Sequence, residues 1–307
     1  MVALPKTKRN WESIFALWSQ PPGVAEQERC ERAEKAIKDA IKSNATLAMK
    51  SVRTFVQGSY CNHTNVRQDS DVDVCVLCND SFFHDLSEGV TPQQVEPIYP
   101  ATYKFTEYKN DVGRALINKF GHKNVSRGNK AFNINENSYR VDADAAPCFE
   151  YRLYYINRFG CLDCYKGTAL VVDNTGRLAT NFPQQQYENG IEKNKITGKR
   201  FKKAVRIIKK LSNEMESNGY ASAKSMSSFL IESLVWNSDN SWFNSPSLEV
   251  MTRDLLACLW HCTKEDATCK HWMEENNIKY LFHPTKKWTR ANVHQFLQEA
   301  WLYIENG

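Results

Sequence analysis

No apolar run in this 307-residue sequence reaches the roughly 20 residues that a membrane-spanning helix needs. Met1 to Phe15 also lacks the hydrophobic centre of a signal peptide. A membrane or secreted protein is therefore not expected, and a cytoplasmic one is. Internal repeats and low-complexity tracts are missing too, which excludes a repeat array. Neither sign of charge dominates: 40 Lys and Arg against 35 Asp and Glu leave a net charge of +5. That balance suits a small polyanionic substrate, but the lysines are dispersed and form no concentrated basic face for obligate nucleic-acid binding or activation by RNA.

The ten cysteines are scattered, and without a secretory signal they read as reduced thiols. Cys161-x-x-Cys164 has no second pair to complete a zinc set. Cys258, His261, Cys262, Cys269 and His271 are a better cluster, yet Cys258 and Cys262 also fit the buried stripe of an amphipathic helix, so structural zinc is not expected. Hydrophobic residues make up 42% and aromatic residues 12%, enough for the core of one large domain or two packed ones.

The chemistry is concentrated between Phe55 and Cys78. Val52 to Gln57 reads as a strand that breaks at Gly58-Ser59, where a tight turn can face backbone amides and a hydroxyl towards a phosphate. A polar loop containing His63 follows, for which no role is expected. The chain then alternates again as Asp71-Val72-Asp73-Val74, and on a strand Asp71 and Asp73 share a face. Acids held that close are costly unless cations sit between them, and Mg²⁺ prefers a few carboxylates plus phosphate oxygens. Tyr139 to Pro147 offers a second alternating strand with Asp142 and Asp144 on one face, either of which could complete a two-metal site.

Around this stretch the pattern predicts a helix over Trp11 to Trp18, ended by Pro21-Pro22-Gly23. A helix from Ala25 to about Lys42 buries Ala33, Ile37, Ala40 and Ile41. Residues 79–100 read as a polar surface excursion, followed by a helix over Tyr103 to Phe120. Short strands are predicted at Lys123–Val125, Lys130–Ile134, Tyr139–Asp144 and Phe149–Ile156, then a hairpin of Tyr165–Val172 and Arg177–Phe182. Beyond Pro183 the helical patterns are Arg200–Leu211, Ser225–Trp236, Leu248–His261 and Ala291–Ile304. On the first of these, Lys202, Arg206 and Lys209 form a basic stripe whose plain reading is a solvated face.

Gly58-Ser59, a spacer, Asp71-x-Asp73 and a later strand Asp together resemble the DNA polymerase β nucleotidyltransferase superfamily. Within it, most of the chain is similar to the cGAS/DncV-like nucleotidyltransferases (CD-NTases) of bacterial anti-phage signalling, particularly their clade E. That narrower likeness is strongest over Glu188 to Asn194. The resemblance implies an α+β fold: a polymerase-β-like core of mixed sheet and flanking helices over residues 1–183, a helical lobe over 184–307, and an active site in the cleft between.

It further implies that Asp71, Asp73 and Asp144 are catalytic and hold two Mg²⁺ ions, for which Mn²⁺ can substitute. Asp144 is favoured over Asp142 because the family's third Asp is often followed two residues later by Pro, and Pro147 stands nearly there. Gly58, Ser59, Lys209 and Ser228 would contact the triphosphate, with Arg206 the second choice to Lys209. Phe229 would stack on a base or serve only as core. Asn181 would read base identity, an amide there going with pyrimidine preference, with Asn189 and Asn194 as fallbacks. The implied activity is template-independent joining of two NTPs into a cyclic dinucleotide messenger, with uridine a candidate base. A monomer with a downstream nucleotide-activated effector, no nucleic acid and no membrane is the expected setting. The alternatives are a non-cyclising transferase acting on RNA, an antibiotic or a protein hydroxyl, and an inactive nucleotide or RNA sensor.

Overall fold

The computed structural model describes residues 9–66 and 71–307. The first eight residues and 67–70, which fall within the N-terminal stretch and the polar loop discussed above, lie outside the described residues. In chain order the helices are α1 (Trp11–Trp18), α2 (Val24–Lys42), α3 (Ala45–Ala48), α4 (Gly58–Cys61), α5 (Phe105–Phe120) and α6 (Pro183–Ile196). They continue as α7 (Phe201–Ser217), α8 (Ala221–Lys224), α9 (Ser228–Trp236), α10 (Leu248–Thr263), α11 (Asp266–Cys269) and α12 (Arg290–Asn306). The strands are β1 (Val52–Gln57), β2 (Val72–Leu86), β3 (Val125–Arg127), β4 (Phe132–Ile134), β5 (Ala143–Ile156), β6 (Leu162–Val171) and β7 (Leu178–Asn181).

These elements form two compact units. Of the described residues, one comprises 23–60 and 71–184 and holds the sheet; the other comprises 9–22, 61–66 and 185–307 and is helical. A single division near residue 183 is therefore not what the contacts draw. The α1 segment and the residues after Tyr60 belong to the helical unit, because their side chains pack there: Trp11 is buried and its indole donates to the Ile304 carbonyl at 2.8 Å.

In the sheet unit the seven strands run in the order β1-β2-β5-β4-β3, with β6 pairing the far half of β5 and β7 pairing β6. The β2–β5 pair is parallel and the others are antiparallel. The first seven residues of β2 are almost wholly buried, as expected for a strand covered on both faces. α2 packs on β2, β5 and α5 through Cys30, Ala33, Ile37, Ala40 and Ile41, a stripe at helical spacing. α5 adds Tyr108, whose hydroxyl donates to the Val76 carbonyl at 2.6 Å. It ends at Gly121, whose φ of 83° favours glycine.

Residues 79–86 are strand rather than surface excursion. A register shift between Cys78 and Phe82 interrupts the alternation, after which Phe82 to Leu86 pairs with Glu150 to Tyr154. The second acidic strand begins at Ala143 rather than Tyr139 and continues unbroken through the segment read separately as Phe149–Ile156. The Glu188–Asn194 stretch is part of α6. Among the described residues no helix is long and apolar enough to cross a membrane.

Ile37 is 1% exposed at the centre of the α2 stripe. Ile37→Ala is expected to lower unfolding free energy by about 3 kcal/mol in chemical denaturation, since the rigid sheet beneath cannot collapse into the vacated volume.

Candidate active site

The site is assembled by strand register. Gln57, the last residue of β1, is the cross-strand partner of Asp73 on β2. Asp73 in turn pairs with Asp144 on the parallel strand β5, and Asp144 pairs with Asn133 on β4. Side chains directly across neighbouring strands stand close together, so the ladder itself brings the two carboxylates side by side. Asn133 donates its amide N–H to Asp144 Oδ1 at 2.5 Å, which orients that carboxylate. Asp71 is exposed and lies one residue before β2. The Asp142 carboxylate instead accepts from the Glu136 backbone N–H.

Gly58 follows β1 with a φ of +67°, and a Cβ there would stand 2.5 Å from Asp73 Oδ2. Conformation and close approach both demand glycine. The chain then enters the single turn α4 rather than an open loop, with Ser59 as its second residue. Asn181, at the end of β7, accepts the Phe182 N–H at 2.9 Å through its side-chain oxygen. Its carboxamide NH₂ is the donor end.

Electrostatics mark the same place. Asp73 is pushed up from 3.8 to about 6, chiefly by burial and then by the charges of Asp144 and Asp71. Burial and Asp142 raise Asp144 too, against the lowering effect of Asn133. Two acids in register, each disfavoured in its charged form, are a donor set that a hard divalent cation relieves. Among the described residues no three or more His, Cys, Asp or Glu side chains gather as a group that could hold a metal ion.

The remaining sequence-derived residues lie in the helical unit. Ser228 is exposed in the first turn of α9, and Phe229 is half-buried with its ring 6.2 Å from Trp288. Asn189 donates to the Glu275 carbonyl and Asn194 accepts from the Lys202 N–H, so both are engaged in local structure. The basic stripe on α7 is not a solvated face: Lys209 and Arg206 are both buried. Lys209 donates to Thr64 and to Glu232, and Arg206 donates to the carbonyls of Ser19 and His63. Lys209 thus stands beside a carboxylate, whereas the partners of Arg206 are two neutral carbonyls. Helical spacing shows the stripe but not the acid from another helix that buries it. Asn133 was missed by the sequence reading; its signal is a polar residue between Phe132 and Ile134 on a short apolar strand. Cys269 is buried, while Cys258 and Cys262 lie partly covered on α10.

Residues 188–305 match the family model of the cGAS/DncV-like nucleotidyltransferase C-terminal helical domain. The whole chain is similar to the cyclic dipyrimidine nucleotide synthase CdnE of Legionella pneumophila, at 41% identity over 97% of this chain and 99% of that one. The enzyme of the same name from Cecembia lonarensis is 37% identical over 96% and 98%. Among solved structures, the CdnE cyclic dinucleotide synthase of Elizabethkingia meningoseptica with GTP and Apcpp superposes with a TM-score of 0.79. Its identity is 31%, over 95% of this chain and 98% of that chain.

The raised acidity constant of Asp73 gives a signed expectation. A carboxyl lifted from 3.8 to about 6 favours the folded state most below pH 4, and the advantage is lost as pH rises through about 6. In EDTA, Asp73→Asn should therefore gain on the parent between pH 4 and 7, by up to roughly 3 kcal/mol. A difference independent of pH would show that the fold does not hold Asp73 above the usual carboxyl range.

Proposed function

The chain belongs to the cGAS/DncV-like nucleotidyltransferases and is a cyclic dinucleotide synthase, and from that premise we propose that it builds its product from pyrimidine nucleoside triphosphates. The observation that carries the chemistry is the register of Asp73 beside Asp144, with Gly58 closing on Asp73. The base preference is supported by the two dipyrimidine synthases at 41% and 37% identity.

In this reading Gly58 and Ser59 cradle the triphosphate. Asp144, held by Asn133, faces the attacking ribose hydroxyl and accepts its proton, while Asp71 and Asp73 face the phosphates. Mg²⁺, or Mn²⁺ in its place, would be held by Asp71, Asp73 and Asp144, and when bound it supplies polarisation of the hydroxyl and neutralisation of the departing pyrophosphate. A new bond joins the ribose oxygen to the α-phosphorus as the bond to pyrophosphate breaks. The same exchange repeated on the linear intermediate closes the ring. Ser228 is assigned to phosphate and Phe229 to stacking, which accepts any base. Asn181 supplies the edge contact: its NH₂ suits a pyrimidine carbonyl acceptor. The product would serve as a cytoplasmic second messenger for a nucleotide-activated effector in defence against phage.

Purified enzyme incubated with each pair of the four NTPs, Mg²⁺ and no nucleic acid or other acceptor should yield a phosphatase-resistant product whose mass corresponds to two pyrimidine nucleotides in a ring. A phosphatase-sensitive product, or a requirement for an acceptor, would overturn cyclisation by this chain. Asp73→Asn and Asp144→Asn should each lower turnover by about a hundredfold or more, since each removes several kcal/mol of charge stabilisation.

Replacing Asn181 with Ser should shift incorporation towards purines by roughly tenfold, the worth of one good hydrogen bond. An unchanged ratio of products by mass would remove Asn181 from base selection.

A further inference from the structure

In the helical unit, three consecutive residues are anchored by buried charge. Both oxygens of the Glu232 carboxylate are used: Oε1 accepts from Asn62 at 2.8 Å and Oε2 from the Thr64 hydroxyl at 3.0 Å. Lys209 donates to the Thr64 carbonyl and hydroxyl, each at 3.2 Å, and stands 3.3 Å from Glu232 Oε2. Arg206 takes the carbonyl between them, donating to His63 at 2.7 Å. His63 itself has a φ of 52°, a conformation that needs such support. Thr64, Lys209 and Glu232 are each at most 2% exposed.

A second acid backs the first. Glu275 is fully buried; its Oε2 accepts from Gln186 at 3.2 Å, while its Oε1 receives no donor. A Cβ on Gly190 would come within 2.4 Å of that oxygen, so glycine on α6 makes room for it. A buried carboxylate oxygen without a donor is costly, whereas a protonated one can donate. Burial and the neighbouring Glu232 charge hold Glu275 well above the usual carboxyl range, and its proton is shared with Glu232. Glu232 is the charged member, kept low by Lys209 and by its donors against the cost of burial.

We propose that Glu232 is a positioning residue for nucleotidyl transfer: with Lys209 and Arg206 it fixes residues 62–64, and through the continuous chain it sets the Gly58–Ser59 turn just upstream. The inference rests on the assignment of that turn to the triphosphate. Only Tyr60 and Cys61 separate Ser59 from Asn62, and both belong to α4, so a displacement at Asn62 is passed on rather than absorbed.

Three substitutions in the full chain test this, read by initial rates with UTP and Mg²⁺, by UTP binding in calorimetry, and by thermal melting. Glu275→Gln replaces a protonated acid by its neutral isostere and should keep kcat and KM within about twofold of the parent. Glu232→Gln withdraws the charge that Lys209 and two donors require, and should lower kcat/KM by about a hundredfold, the loss that an ångström of misplacement brings. Thr64→Val, a smaller change that decides the matter if Glu232→Gln fails to fold, should raise KM and Kd for UTP about tenfold with melting little altered. Loss of folded protein alone would lower apparent kcat at constant KM. Parental KM and Kd in Thr64→Val, or equal damage from Glu275→Gln and Glu232→Gln, would overturn the proposal. A parent enzyme that binds UTP yet makes no product would overturn the synthase reading instead, and the Kd values would still decide the role of Glu232.

Discussion

Two carboxylates standing in register on adjacent parallel strands are the constraint on which the sheet unit depends. Parallel pairing of β2 with β5 fixes Asp73 beside Asp144, and neither strand can yield. β2 is bonded on its other side to β1, and its apolar residues from Val72 to Cys78 are fully covered. A slip of one residue would exchange the two faces of β2 and carry the Asp73 carboxylate into a place that an apolar side chain fills, a cost that exceeds the few kcal/mol of repulsion between the two acids. The repulsion is therefore retained. With burial, the larger cause, it surfaces as the lifted acidity constant of Asp73, a penalty of the kind that a divalent cation relieves.

The helical unit meets the same electrostatic problem with a different solution. Glu232 and Glu275 also face one another, but they are buried beyond the reach of solvent. Here a proton held between the acids and the ammonium of Lys209 supply the compensation. The contrast follows from access. A site that must exchange substrates can leave its charge to be matched by what binds, whereas an interior must carry its counter-charge permanently.

Access also explains what the sequence disclosed and what it hid. The acids, the glycine–serine bend, α1 and the α2 stripe obey local rules: alternation on a strand, helical spacing, a residue that tolerates positive φ. The continuation of β2 past Cys78 was hidden because a bulge breaks the alternation that identifies a strand. The separate strands expected at Tyr139 and Phe149 merged because β5 changes partners midway, from β4 to β6, and so changes the pattern of covered residues. The burial of Lys209 and Arg206 was hidden for a related reason. A cation's burial depends on where its acid lies, and Glu232 comes from another helix while Glu275 lies in an irregular segment.

Buried ion pairs are poor sources of stability: desolvating the charges costs several kcal/mol each, and apolar replacements of equal volume often fold as well or better. The network around Lys209 is thus hard to account for as reinforcement of the helical core, which already has Phe201, Val205, Leu211, Leu230 and Leu234 packed together. What apolar packing cannot do is hold two backbone carbonyls and two polar side chains of a short irregular segment at fixed positions. Each anchor on residues 62–64 is a directional hydrogen bond to a charged group, the class that holds geometry most firmly. The network makes sense as a device for placement, and the turn just upstream of it is the one proposed above to cradle the triphosphate.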